Sequence, residues 1–522
     1  MEGIIVKMKK FISYLSIGIM AILTVLNILY VTNIGESEKV SITSSSIFYI
    51  IFLVLFTVGI YFFTEWIDQK FSNKEENTKK RICLISKVIY FILCALLIIF
   101  LRPPIVGDQI HACNLAETFY TGDNERYLPN TTYAGIPLFE YMQAYYQQIT
   151  LAFMFSIFLR IIHFDGIGLL RILNILFSLV IVIYTYKIAK KSSKEKDKSN
   201  MFRPMFIIYT FFSLFLLNTF IYGDIPSLAL SMVAMYEVMK YRENNKIKHI
   251  IFAGVLMSLA YMFRMNSAIF VIAISIYLLL NLFYEIKEHK NITPKEIIVK
   301  LLLVILFVAI TLLPATIVKN YYIKKYNLDR DKQYPTISYF LIGMEESPRC
   351  EGWYSESIGE YALKNPEKAS IEYKTRIKDR LKYFKENPKY TIKFYGRKII
   401  SMWCENTYGS IRDNMEGTDK IDMTKFITPL TFYQKAMLIF MFTYIIIIII
   451  QNRNNLSLEV VLLLTVFLGG FFFHIMWEAK SRYIIPYIVV LMPILSIKIK
   501  NNKIKLLQIE EKKYSSLIWK IE

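Results

Sequence analysis

An all-α membrane protein with about twelve transmembrane helices and a small extracytoplasmic segment is the fold this chain predicts. Three observations predict it. Hydrophobic residues make up 55% of the 522 positions and aromatic residues 15%, with a mean hydropathy of +0.38. Apolar runs recur along the whole chain at the length of about 20 residues that a bilayer requires. The net charge of +20 sits mostly in short loops between those runs, as the enrichment of Lys and Arg in cytoplasmic loops produces. That placement removes the case for nucleic acid, and no nucleic-acid partner is expected. The five cysteines form no CxxC pair, so neither a zinc site nor a redox motif is indicated.

The first span, 11–31, follows a basic N-terminus, MEGIIVKMKK, and lacks a clear small-residue cleavage site. It is expected to be a retained anchor entering from the cytoplasm. Spans at 46–66 and 82–101 follow, joined by the basic loop DQKFSNKEENTKKR. Residues 134–162 are apolar enough to suggest a crossing. However, Glu140, Gln143, Gln147 and Gln148 lie among their aromatics, and a crossing would place the basic loop KIAKKSSKEKDKSN, with Lys194, on the wrong side. A non-crossing helix in the outer interface is therefore expected. The remaining spans are 168–186, 203–221, 225–240, 249–262, 267–284, 299–319, 430–450, 457–474 and 483–498, with both termini inside.

Four regions result. Residues 1–81 form a two-span N-terminal extension, and 82–319 a transmembrane core whose first outer loop is 102–165. Residues 320–429 form a small outer segment, and 430–522 the last helices with a basic cytoplasmic tail. Within the outer segment, PEKASIEYKTRIKDRLKYFKEN begins at Pro366 and stops before Pro388, the signature of an amphipathic helix. FYGRKIISMWCENTYG predicts a second helix near the interface.

The unusual polar groups gather at one end. The stretch from Arg102 to Asp123, RPPIVGDQIHACNLAETFYTGD, follows a span, and its two prolines stop that helix. Asp108 lies just beyond, where an acidic group at a membrane surface is a functional-site candidate. Glu117 follows it. Asp224 sits in IYGDIP, Arg264 in FRMN, and Glu478, Lys480 and Arg482 in WEAKSRY, all in outer turns. Plainer roles compete. Asp108 and Asp224 can each cap a helix, Glu117 can be a solvated charge, Arg264 can snorkel, and Glu478 with Arg482 can form a helical ion pair. Taken together, carboxylates supply a general base, and the cations suit a departing phosphate. That combination fits the transfer of a sugar from a lipid phosphate, with inversion at the anomeric carbon.

The order of PPIVGDQIHACNLA, YLPNTTYAGIPLFEYMQAYYQQ, GIGLLRILNILFSLVIVIYTYKIAKK and FFFHIMWEAKSRYIIPY resembles the GT-C superfamily of integral-membrane glycosyltransferases. The closest branch comprises the protein O-mannosyltransferases and the aminoarabinose transferase, with their Gram-positive relatives. The resemblance implies a polyprenyl-phosphate-linked sugar as donor and a glycan, lipid or protein of the cell envelope as acceptor. It also implies a multi-pass protein of the cell membrane whose active site faces the extracytoplasmic side. Asp108 matches the family's catalytic acidic residue, and Asp224 a second outer acidic position. Arg264, Lys480 and Arg482 are the candidates for the lipid phosphate, with Glu117 and Glu478 in reserve. No cofactor is implied, and a divalent metal has no motif to support it. The first two spans depart from the family pattern, in which the catalytic loop usually follows the first span. A transporter or flippase of a lipid-linked sugar is the alternative, but it favours paired charges at the bilayer midplane and repeated halves. A non-catalytic assembly partner is another alternative, and it leaves Asp108 without a role.

Overall fold

A computed structural model of the chain describes residues 2–499 except 73, 102, 129–131, 134–135, 163–165, 194–200, 289–291, 415–422 and 454. Arg102, Lys194 and the basic tail beyond 499 therefore lie outside the described residues. Two long helices, α1 (Glu2–Leu29) and α2 (Ile47–Ser72), are joined by an antiparallel hairpin, β1 (Tyr30–Ile34) with β2 (Val40–Ser44), in which Tyr30 faces Ser44 and Ile34 faces Val40. Helix α3 (Glu76–Leu101) ends at the proline pair. The chain then turns through Gly107, whose φ of 60° suits a residue without Cβ. Asp108 opens the next helix.

The loop expected on the outer side holds α4 (Asp108–Thr121), α5 (Asn124–Tyr127), a two-residue strand pair (β3, Thr132–Tyr133; β4, Ile136–Pro137), α6 (Leu138–Ala144) and α7 (Tyr146–Ile162). The segment expected to lie in the interface is thus broken at Tyr145, and α7 packs along α4. The core continues through α8 (Gly166–Ser192), α9 (Phe202–Tyr209), α10 (Phe212–Leu216), α11 (Asp224–Asn244), α12 (Lys248–Phe263), α13 (Ala268–Glu288) and α14 (Pro294–Lys325). Helix α14 begins with a reciprocal capping box between Thr293 and Glu296 and Pro294 at its first turn, which satisfies orphan donors of that turn.

Among the described residues, eight helices are long and apolar enough to cross a membrane, or nine if α9 and the helical turns of 212–219, bent by 50°, make one span. The predicted count of twelve is not reached on that measure. The spans expected at 249–262 and 483–498 are shorter apolar helices, and the one expected at 225–240 is the largely buried α11.

The outer segment carries α15 (Ile337–Ile342), α16 (Glu356–Lys364), α17 (Pro366–Glu386) and α18 (Pro388–Trp403). The helix predicted between Pro366 and Pro388 is α17, and each proline takes a first-turn position where its missing N–H costs nothing. A small apolar cluster of Leu341, Ile342, Ile358, Ala362, Ala369 and Tyr373 holds this layer and reaches Ala144 of the first outer loop. The described residues end with α19 (Thr424–Asn452), α20 (Leu458–Met476), α21 (Ile485–Val489) and a last helical turn at Met492–Ser496. The N-terminal pair is not peripheral. Helix α1 packs on α19 and α20, and α2 packs on α19.

Candidate functional site

The loop 216–222 is the hub that positions Asp108. Gln109 receives the Ile221 N–H at 2.8 Å. Asn174 of α8 donates to the Phe220 carbonyl at 2.9 Å, and Thr219 donates to Asn414 at 2.7 Å. Arg171 binds the carbonyls of Thr219 and Pro103, so the post-proline turn and the hub share one guanidinium. These bonds hold the first turn of α4 against Tyr222.

Asp108 is exposed, and its two oxygens accept from two buried phenols. Tyr141 Oη donates to Oδ1 at 3.1 Å and Tyr222 Oη to Oδ2 at 3.3 Å. Gln148 Nε2 in turn donates to Tyr222. The His111 ring stacks on Tyr141 with centroids 3.9 Å apart. Burial lowers the His111 pKa while Asp108 raises it, with a net fall. The Asp108 carboxylate is therefore oriented by neutral donors and still open to a reactant.

Asp224 is the first residue of α11, whose cap position is Gly223, and its side chain turns to two arginines instead. Its Oδ1 pairs with Arg264 Nε at 3.1 Å, and Arg482 Nε stands 3.7 Å from Oδ2. Gly223 makes this possible. A Cβ there would sit 2.0 Å from the Phe263 carbonyl oxygen, so only glycine lets α11 start against the end of α12 where Arg264 follows. Arg264 does not snorkel away. It lies between the rings of Tyr222 and Tyr483, at 4.6 and 5.1 Å, a cation–π sandwich.

Glu478 and Arg482 do not form the helical pair considered from their spacing. The backbone is extended at Trp477 and Lys480, and Ala479 N–H donates to Gly352 O at 2.7 Å. Arg482 turns instead to Asp413, with Nη1 at 3.2 Å from Oδ2. From there the charges alternate. Arg412 binds Asp413 at 2.8 Å and Glu38 at 2.9 Å, Lys480 binds Glu38 at 2.8 Å, and Arg349 holds the other Glu38 oxygen. Arg349 also reaches Glu356 at 3.7 Å, so five cations share Asp224, Asp413, Glu38 and Glu356, leaving an excess of one positive charge. Glu478 is buried beside this chain, and burial pushes its carboxyl up to about 7, against the pull of Lys480 and with the push of Glu38 and Asp108. A row of rings joins the two acids, Tyr141–Tyr145–Tyr334–Tyr339–Trp477, with successive centroids 4.9 to 5.3 Å apart.

Asp108, Asp224, Arg264, Glu478, Lys480 and Arg482 are therefore brought to one mouth of the bundle. Glu117 is not among them. It faces Gly166 at the start of α8, over two turns along α4 from Asp108. Sequence reasoning missed Tyr141, Tyr222, Glu38, Arg349, Arg412 and Asp413. The tyrosines were legible only as aromatic residues of an outer loop. The four charges look like ordinary solvated ones. Among the described residues no group of three or more His, Cys, Asp and Glu side chains stands where it could hold a metal.

The fold and the site together define a multi-pass helical membrane protein with an acidic residue just past the end of α3 and cations gathered beside it. Residues 147–314 match the family described as dolichyl-phosphate-mannose-protein mannosyltransferase. The resemblance to the GT-C superfamily holds over that stretch, which contains Asp224 and Arg264 and begins after Asp108. No curated protein matches the chain. Among solved structures, it is similar to the archaeal oligosaccharyltransferase AglB from Archaeoglobus fulgidus in complex with an inhibitory peptide and a dolichol-phosphate. The identity is 13%, the TM-score 0.42, and the alignment covers 83% of this chain and 52% of that one. The apo form of the Archaeoglobus fulgidus oligosaccharyltransferase gives 13% identity and a TM-score of 0.43, covering 84% and 53%. The chain thus spans about half the length of these structures.

Proposed function

We propose that the protein transfers a sugar from a polyprenyl-phosphate carrier to an acceptor of the cell envelope at the extracytoplasmic membrane face. Asp108 is the general base. Its carboxylate takes the proton of the acceptor hydroxyl as that oxygen attacks the anomeric carbon. The bond to the carrier phosphate breaks on the opposite side, so the centre inverts. Tyr141 and Tyr222 hold both carboxylate oxygens in place, a geometric role rather than a proton-transfer one, because burial raises both phenol pKa values far from neutrality. The departing phosphate gains negative charge, and the surplus of the Arg264 to Lys480 network offsets it.

The observation that carries this reading is the open Asp108 carboxylate, held by two phenols, next to a charge network with one cation in excess. The matched family is named for a lipid-phosphate sugar donor and supports the same chemistry. The test is an Asp108→Asn variant produced at normal level, with lipid-linked sugars measured in the membrane. Removing a general base costs about 10²–10⁴-fold in rate, so one carrier-linked sugar accumulates as it does on deletion of the gene. A pool unchanged in both strains contradicts the transferase reading.

A further inference from the structure

The hairpin of the N-terminal extension reaches into the site. Its tip presents Glu38, whose side chain is only 13% exposed. Ser37 and Glu38 both adopt left-handed backbone, with φ of 53° and 60°, although neither is glycine. That region is disfavoured for residues carrying a Cβ. The tip is held there by three charges from three separate parts of the chain. Arg349 comes from the loop between α15 and α16, Arg412 from the loop before α19, and Lys480 from the turn after α20. The rest of the hairpin is anchored independently. Val40 N–H donates to Arg349 O at 2.9 Å and Lys435 Nζ to Tyr30 O at 2.5 Å, while Asn406 Nδ2 fixes the preceding end of α1 through Asn27 Oδ1 at 2.9 Å. The strand register can therefore persist while the tip moves.

Three cations around two oxygens of one acid is an arrangement suited to a phosphoryl group, which offers more oxygens and more charge than a carboxylate. Arg349 also reaches Glu356 at 3.7 Å, and Arg412 also binds Asp413. Both contacts remain if Glu38 departs. We propose that Arg349, Arg412 and Lys480 form a cradle for a phosphate oxyanion, and that Glu38 occupies it as an internal pseudo-ligand which the incoming phosphate displaces. This rests on the transferase reading for its lipid-phosphate source, and it assigns the two extra N-terminal helices a job at the site. Displacement also frees the tip from its left-handed backbone, which lowers the cost of opening. A cradle filled by its own carboxylate binds with an affinity reduced by the fraction of molecules that are open. Removing the Glu38 charge must therefore tighten phosphate binding, the reverse of what loss of a supporting residue does.

The test uses the full chain in lipid nanodiscs with two probes, undecaprenyl phosphate and inorganic phosphate. Glu38→Gln is expected to bind undecaprenyl phosphate about tenfold tighter than the wild type, and to lose that gain when combined with Lys480→Gln. A gain that survives in the double variant overturns the cradle, since it would reflect only the loss of a negative charge. An unchanged or weaker affinity in a Glu38→Gln protein that melts like wild type also overturns it. Tightening towards both probes supports recognition of the oxyanion itself, and tightening towards inorganic phosphate alone overturns the lipid source. If Glu38→Gln does not fold, Lys480→Gln and Arg349→Gln carry the test. Each should weaken phosphate binding about tenfold, and no change in either overturns the cradle. These measurements need no turnover, so they stand apart from the Asp108→Asn sugar analysis, and either result can fail without the other.

Discussion

Glu478 is the residue whose surroundings make the sharpest demand. The residue is 8% exposed, and burial pushes its carboxyl up from 4.5 to about 7. Below about pH 4.5 both folded and unfolded chains hold the proton, and the group's contribution is fully present. As pH rises towards 7 the unfolded chain ionises while the folded one keeps its proton, so stability is lost across that window. The shift corresponds to about 3 kcal/mol. Melting temperature should therefore fall between pH 5 and pH 8, and Glu478→Gln should flatten that part of the slope. An identical slope in the variant would assign the pH dependence to other groups. Much of this scale was legible in the sequence. Asp108 stood out because two prolines and an apolar run isolate it, and Arg264 because a short outer turn seldom carries a cation. Glu38, Arg349 and Arg412 were not legible. Each sits in a polar stretch where a charge is unremarkable, and only the fold brings them to one point.

At the scale of elements, helix ends place the chemistry. Helix α4 starts with Asp108, α11 starts with Asp224, and α12 ends next to Arg264. The contact of α11 with α12 depends on Gly223. Gly223→Ala puts a methyl into the Phe263 carbonyl, a backbone atom that cannot swing aside. Such overpacking costs about 1–3 kcal/mol. The variant should melt lower and bind undecaprenyl phosphate less well, because Arg264 is drawn from Asp224. An unaltered melt would mean that the two helix ends tolerate separation. The amphipathic α17 was legible from its prolines and periodicity, and α18 from aromatic and basic composition, although it stops at Trp403 and does not run through Gly409. The glutamines among aromatics pointed to one interfacial helix over 134–162, and the break at Tyr145 between α6 and α7 was not legible. The hairpin between α1 and α2 escaped detection, since five-residue strands between two apolar runs leave little alternating pattern to find.

For the whole molecule, the orientation is the claim on which the site depends. Loop charges predict that the α17 layer and the turn after α11 lie on opposite sides of the membrane. Lys382 and Lys246 are exposed representatives of the two. In intact cells, an impermeant maleimide should label Lys382→Cys and spare Lys246→Cys until the membrane is opened. The reverse pattern would place the Asp108 mouth in the cytoplasm.

Helix α14 sets the working height of this machinery. Its 32 residues rise about 48 Å, well beyond the roughly 30 Å of hydrocarbon. Near its far end Tyr322 stacks on Phe119 of α4 at 4.0 Å. The mast that crosses the bilayer thus also props up the deck on which Asp108 stands. On the proposed transferase reading, a carrier lipid keeps its tail submerged while its cargo is unloaded at headgroup level, and a bulky recipient approaches from the water without ever wetting the hydrocarbon.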